Sequence, residues 1–141
     1  MNANEYISGI NLLEYFEEIK DQDSVFAYDF NEVQDLFYAP TNDCVFLVGN
    51  TGLGKKQLMG HLIKSLLATG KSQKDILFLD YNLPILFEVD VKQMVHEFIF
   101  HNSHQLQKSG QNLFLFINEI HFLPNWMDFI KNCLLEYPNV K

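Results

Sequence analysis

Two short clusters in this chain carry residue types suited to phosphate chemistry. The first is Gly49-Asn50-Thr51-Gly52-Leu53-Gly54-Lys55-Lys56. Gly49, Gly54 and Lys55 satisfy the spacing G-x-x-x-x-G-K, and Gly52 adds a further glycine. Glycines at this spacing let the backbone curl its N–H groups around a phosphate, and a lysine at the end of the loop reaches the outer phosphates. The second cluster is Asn118-Glu119-Ile120-His121, directly after the apolar run "LFLFI". An acidic residue at such a strand end can polarise a water molecule for attack on phosphorus, which gives Glu119 the place of a catalytic base.

Both clusters depart from the usual chemistry at the same point. The residue after the loop lysine ordinarily places a hydroxyl on Mg²⁺. Here it is Lys56, whose ammonium repels a metal. The residue before the base is ordinarily a carboxylate for the same ion. Here it is Asn118, a neutral and weak metal partner. The two changes together imply a site that does not handle Mg²⁺ normally. In one version the Lys56 ammonium takes over part of the metal's charge neutralisation, so that ATP or ADP binds without Mg²⁺. A strong Mg²⁺ requirement for binding contradicts that version.

The elements that must position these clusters follow from periodicity. "CVFLVG" is a continuous apolar run ending in glycine, as expected of a strand buried on both faces. "KKQLMGHLIKSLLATG" follows, with Leu58, Leu62, Ile63, Leu66 and Leu67 on helical spacing and Gly70 as the stop. "DILFLD" reads as a second buried strand. "DVKQMVHEFIFHNSHQLQKSG" reads as a helix capped by Asp90, and "NLFLFINE" as a third strand. "LPNWMDFIKNCLLEYPN" reads as a last helix with Asn125 as its cap. Strands alternating with helices imply an α/β fold, a parallel sheet with helices on both faces. Its ligand crevice lies at the carboxyl ends of the strands. Residues 49–56 and 118–121 both fall there.

Residues 1–40 differ in character. They hold nine acids against one lysine, whereas residues 41–141 balance nine acids with nine lysines. They read as a short, mostly helical acidic extension, with helical patterns over residues 11–20 and again just before Pro40. Its charge repels nucleic acid. The overall net charge is −8, and the composition, 48% hydrophobic and 20% charged, is that of a globular protein. No apolar run reaches the length of a membrane span, and the first residues do not read as a signal peptide. Cys44 and Cys133 match no metal-ligand spacing and suggest reduced thiols in the cytoplasm.

From about residue 43 onward the chain resembles the prokaryotic AAA-type P-loop ATPases. Their second acidic motif runs D-E-I-[QH]-x-x-P-x-W. The counterparts here are Asn118, Glu119, Ile120, His121, Pro124 and Trp126. The resemblance implies an AAA-type P-loop NTPase core over residues 41–141. It further implies ATP-binding residues from Gly49 to Lys56, with Asn118 and Glu119 on the metal and water side. Relatives of this kind continue into a sensor strand and a further domain, so the sequence reads as the front part of a longer chain. The ten basic residues are all lysines, and no finger or sensor arginine can come from this chain. The expected function is an ATP-binding AAA-type module with weak or absent hydrolysis, working with a protein partner and able to oligomerise. The alternatives are a pseudo-ATPase that serves protein interaction without nucleotide and a clamp-loader-like subunit. A GTPase is disfavoured, since the third strand lacks D-x-x-G and no N-K-x-D occurs.

Other candidates carry blander readings. His96, His101 and His104 fall on one helix without a matching carboxylate or cysteine, so helix-surface roles outweigh a metal site. Trp126 and Phe129 read as core anchors of the last helix. His121 either touches the site or fills its loop. Asp80, at the end of the middle strand, either orients water or caps the turn.

Overall fold

The computed structural model describes residues 30–39, 44–48, 54–109, 113–137 and 140–141. The helix expected over residues 11–20 and the loop residues Gly49 to Leu53 lie outside them. The described residues show a mixed α/β chain with four helices and a two-stranded parallel sheet. They fall into two compact units, one ending at Lys71 and the other beginning at Ser72.

In the first unit, helix α1 (Phe30–Tyr38) buries Val33 and Phe37, which share one face at i, i+4 spacing. Helix α2 (Lys55–Ala68) buries Leu58, Leu62, Ile63 and Leu66. Two side-chain hydrogen bonds tie α1 to α2. Gln34 Nε2 donates to Ser65 Oγ at 3.4 Å, and the Tyr38 and Ser65 hydroxyls bond at 3.1 Å. Gly70 ends α2 with φ 98°. The Gly70 N–H donates to the Leu67 carbonyl and the Lys71 N–H to the Leu66 carbonyl, each at 3.2 Å. This paired reach-back satisfies carbonyls that the last helical turn leaves open, and only glycine takes the left-handed angle without strain.

The strand expected at "CVFLVG" is a correction. Residues 44–48 are irregular, with Phe46 52% and Val48 82% exposed. An apolar run becomes a two-sided buried strand only inside a ladder, and residues 44–48 form no strand with the other described residues.

The second unit is built on strands β1 (Ile76–Asp80) and β2 (Phe114–Asn118), paired in parallel from Ile76↔Phe114 to Asp80↔Asn118. Every residue of β1 is buried, as its unbroken apolar run requires. Helix α3 (Val91–Ser109) makes the crossover between the two strands. Asp90 caps it as expected: Asp90 Oδ1 accepts from the Gln93 N–H at 3.2 Å. Helix α4 (Trp126–Glu136) follows β2. Its expected cap, Asn125, stands at the right position but makes no side-chain cap bond. It instead adopts a left-handed backbone, φ 59° and ψ 36°, which asparagine tolerates better than most residues. Phe129 is buried while Trp126 is only half-buried.

The core of this unit gathers Leu77 and Leu79 of β1, Val91, Met94, Val95 and Phe98 of α3, and Phe129 and Cys133 of α4. Residues 140–141 pair with the start of β2. The Lys141 carbonyl accepts from the Leu115 N–H at 2.8 Å, and the Lys141 N–H donates to Leu113 at 2.9 Å. Successive residues of a strand point their backbone groups to opposite edges. Leu113 and Leu115 therefore pair on the edge of β2 away from Asn118, whose carbonyl faces β1 and accepts from Tyr81. β2 thus has a neighbour on both sides.

Candidate functional site

The first predicted cluster is described from Gly54 onward. Gly54 occupies the N-cap of α2 with φ 85° and ψ 15°, a conformation that needs glycine. Its carbonyl accepts from the Leu58 N–H at 2.9 Å, so the helix starts directly at Lys55. Gly54 has no side chain with which to cap this end. The first-turn N–H groups of a helix carry the positive end of its dipole, the arrangement that holds anions. Lys55 and Lys56 occupy the first two helical positions, both half-buried. They add two formal positive charges to that end.

The second cluster sits at the carboxyl end of the sheet in the other unit. Asn118, the last residue of β2, is 3% exposed, and Asp80, the last residue of β1, is fully buried. The register sets them side by side, and Asn118 Nδ2 donates to Asp80 Oδ1 at 3.0 Å. The Asn82 N–H donates to the same oxygen, also at 3.0 Å. Burying a carboxylate is costly unless hydrogen bonds replace its water, and these two offset that cost. Asp80 is therefore more than a turn cap: it is a buried acid bonded to the residue at the predicted metal position.

Glu119 leaves the strand in the left-handed region, φ 59° and ψ 46°. This conformation costs a residue with a Cβ about 1–2 kcal/mol. It breaks the β path at once and starts the 3₁₀ turn Ile120–Phe122, in which the Phe122 N–H donates to the Glu119 carbonyl at 3.2 Å. The Glu119 side chain is largely shielded, and its Oε2 lies 3.4 Å from Nδ1 of His121, which is exposed. His121 thus touches the candidate base. Its ring also stacks at 4.3 Å on Phe122, which meets Phe87 edge to face at 5.8 Å. Phe87 and Phe122 are both exposed. Phe87 in turn packs on the buried Tyr81 at 5.7 Å. The Tyr81 hydroxyl has no hydrogen-bond partner among the described residues, and burial pushes its pKa up to about 12.

The remaining candidates lie elsewhere. His96 Nδ1 bonds the Tyr137 hydroxyl at 2.9 Å, joining α3 to the exit of α4. The side chains of His101 and His104 lie outside the described residues. Cys133 is a buried free thiol whose pKa rises to about 11 through burial and the nearby Glu136 charge.

The donor set can be compared with what Mg²⁺ requires. That ion takes oxygen ligands, typically one or two carboxylates together with substrate phosphates and several waters. Among the described residues no three His, Cys, Asp or Glu side chains converge as a self-sufficient metal site. The strand ends offer the Asn118 amide oxygen with the Asp80 carboxylate behind it and Glu119 beside it. An amide and a buried carboxylate oxygen that already accepts two hydrogen bonds fall short of that donor set.

The Asp80–Asn118 bond was not anticipated from sequence. Its only trace there is that "DILFLD" and "LFLFIN" hold apolar runs of four and five residues, each closed by a small polar residue.

Comparison with known proteins gives a family match and nothing further. No curated protein and no solved structure matches the chain significantly. A family model described as "AAA domain" matches residues 41–141, well over half of the chain, and spans both the Gly54–Lys56 helix start and the Asn118–Glu119 strand end. The chain therefore belongs to the AAA domain family.

Proposed function

We propose that this chain is a cytoplasmic ATP-binding module whose hydrolysis is weak or absent. The observation that carries the reading is the start of α2: a left-handed Gly54 followed at once by Lys55, at the positive end of a fourteen-residue helix. In an AAA domain such an end binds nucleotide phosphates. Gly49 to Lys56 hold the phosphates of ATP or ADP, with Lys55 on the outer ones. Glu119 takes the place of the base that polarises water. Asn118 takes the metal side.

Hydrolysis suffers for two reasons of composition. Lys56 removes the hydroxyl and Asn118 the direct carboxylate that normally hold Mg²⁺. The chain also has no arginine, and an arginine finger is typically worth ~10³-fold or more. When bound, Mg²⁺ would neutralise phosphate charge. Lys56 supplies part of that neutralisation itself, so nucleotide binding survives chelation. Productive turnover then calls on a second chain, as partner or oligomer.

Calorimetric titration with ATP and ADP, with and without chelator, tests this. Saturable binding that persists in chelator supports the reading, and absence of binding in both conditions contradicts it. Restoring Lys56→Thr together with Asn118→Asp is expected to raise the Mg²⁺ dependence of binding. It also shows whether hydrolysis was lost only through the metal.

A second reading is a protein-interaction module that binds no nucleotide. It draws on the exposed Phe87–Phe122 ring pair, which offers apolar surface at the strand ends.

A further inference from the structure

We infer that the Phe87–Phe122 ring pair is a latch that holds the strained turn Glu119 to Phe122 shut and so decides whether the Glu119 carboxylate is shielded or free. The latch lies wholly within the second unit and acts whether or not the chain binds nucleotide. No described residue other than glycine, Glu119 and Asn125 has a positive φ. Asparagine accepts the left-handed region readily and glutamate does not. The strain therefore sits at Glu119, where the backbone alone favours a return to the β region by about tenfold.

Contacts of the turn must oppose that preference. The Phe122 N–H donates to the Glu119 carbonyl at 3.2 Å and the Leu123 N–H to the Ile120 carbonyl at 2.9 Å. Both bonds lie inside the segment, as does the contact between Glu119 and His121. They shape the turn without tying it to its surroundings. Leu123, just beyond, packs against the core and anchors the far end. Between β2 and that anchor, Phe122 reaches across to Phe87, edge to face at 5.8 Å.

Phe87 is the fixed half of the pair. Its 3₁₀ turn, Pro84–Glu88, is pinned by the buried Leu86, and its ring packs on the buried Tyr81. Phe122 is the half that moves with Glu119. An aromatic pair of this kind favours the shut form by about fivefold, the same order as the strain against it. The rings are already 59% and 47% exposed, so parting them uncovers little further apolar surface. Opposing effects of matched size make a two-state element. Shut, the turn shields the Glu119 side chain, which is 8% exposed. Open, it returns Glu119 to an extended backbone and its carboxylate to water. Phe87 and Phe122 are thus positioning residues for Glu119.

The test is amide hydrogen exchange of the full chain, read residue by residue by NMR. In Phe87→Ala the Phe122 and Leu123 N–H groups are expected to exchange about fivefold faster than in wild type. The Tyr81 N–H, bonded to the Asn118 carbonyl across the two strands, is expected to keep its rate. A Phe87 that only fills space would speed both alike. Strain has its own readout. In the Phe87→Ala background, Glu119→Gly is expected to exchange at these turn amides about fivefold more slowly than Glu119→Ala, since glycine takes the left-handed angle freely.

The inference is overturned if Phe87→Ala leaves both turn amides at the wild-type rate, if the Tyr81 N–H speeds up with them, or if glycine and alanine at 119 exchange alike. Should Phe87→Ala not fold, Phe122→Leu, which keeps an apolar side chain and removes the ring, decides alone. Faster exchange of the Leu123 N–H then supports the latch, and an unchanged rate overturns it. None of these rates involves ATP, so a failure of the nucleotide reading is read separately.

Discussion

Glu119 offers a measurement in which backbone strain and function separate. Its left-handed backbone costs a side-chain-bearing residue about 1–2 kcal/mol, and glycine pays no such penalty. Glu119→Gly also loses the 3.4 Å contact of its shielded carboxylate with the solvent-facing His121, and a pair open to solvent on one side is worth about 1 kcal/mol or less. Glycine additionally frees the unfolded chain, at a cost of about 0.5–1 kcal/mol. The net change from wild type is therefore small. Glu119→Ala loses the same contact and keeps the strain, so the comparison of the two variants isolates the backbone. Glycine is expected to be more stable than alanine by about 1 kcal/mol, or roughly 3–4 °C in melting temperature for a chain of this size. Urea denaturation of the two variants measures it directly. Equal stability, or alanine ahead, would refute the claim that the chain stores strain at Glu119. Both variants lack the carboxylate, so both should also lose any residual ATP hydrolysis, whatever their stability.

Other consequences follow from particular groups. Gly54→Ala forces a Cβ into φ 85°; it should lower stability by about 1 kcal/mol and weaken ATP binding, which a melt and a titration would show together. Met94→Ala, at a position 1% exposed in the core of the second unit, should cost about 2–5 kcal/mol in urea unfolding; a cost below 1 kcal/mol would mean that this core is loosely packed. Alkaline pH should destabilise the fold through Cys133. Its thiol ionises near 9 when unfolded and at about 11 when folded, so its contribution is complete below pH 9 and drains away as pH rises toward 11. Cys133→Ala should flatten the stability profile in that window, and an unchanged profile would remove Cys133 as the cause. Tyr81 adds a similar loss between pH 10 and about 12.

Much of the fold was readable because its signals are local. The strands Ile76–Asp80 and Phe114–Asn118 are unbroken apolar runs, α2 carries leucines on one face, and Gly70 marks its end with the angle only glycine takes freely. The "CVFLV" run failed for an instructive reason. Apolarity states a preference for burial, whereas a strand is made by its neighbours, and residues 44–48 form no strand with the other described residues. Asn125 carries the right residue type for a helix cap, yet its backbone angle, not its side chain, makes the turn.

The site divides the same way. Spacing alone singles out Lys55, Asn118 and Glu119 as candidates. The Asp80–Asn118 bond depends on strand register, which joins residues 38 positions apart and leaves no local pattern. The left-handed Glu119 was equally hidden, because glutamate has no preference for that region and the conformation is imposed by the turn into Ile120–Phe122.

The central claim is that the end of α2 binds nucleotide phosphates. Titration of ATP into wild type and Lys55→Ala, both in chelator, tests it most directly. Saturable wild-type binding that weakens about tenfold or more in Lys55→Ala is predicted, the loss expected for one charge-assisted hydrogen bond. No binding to wild type, or equal binding to both proteins, would contradict it.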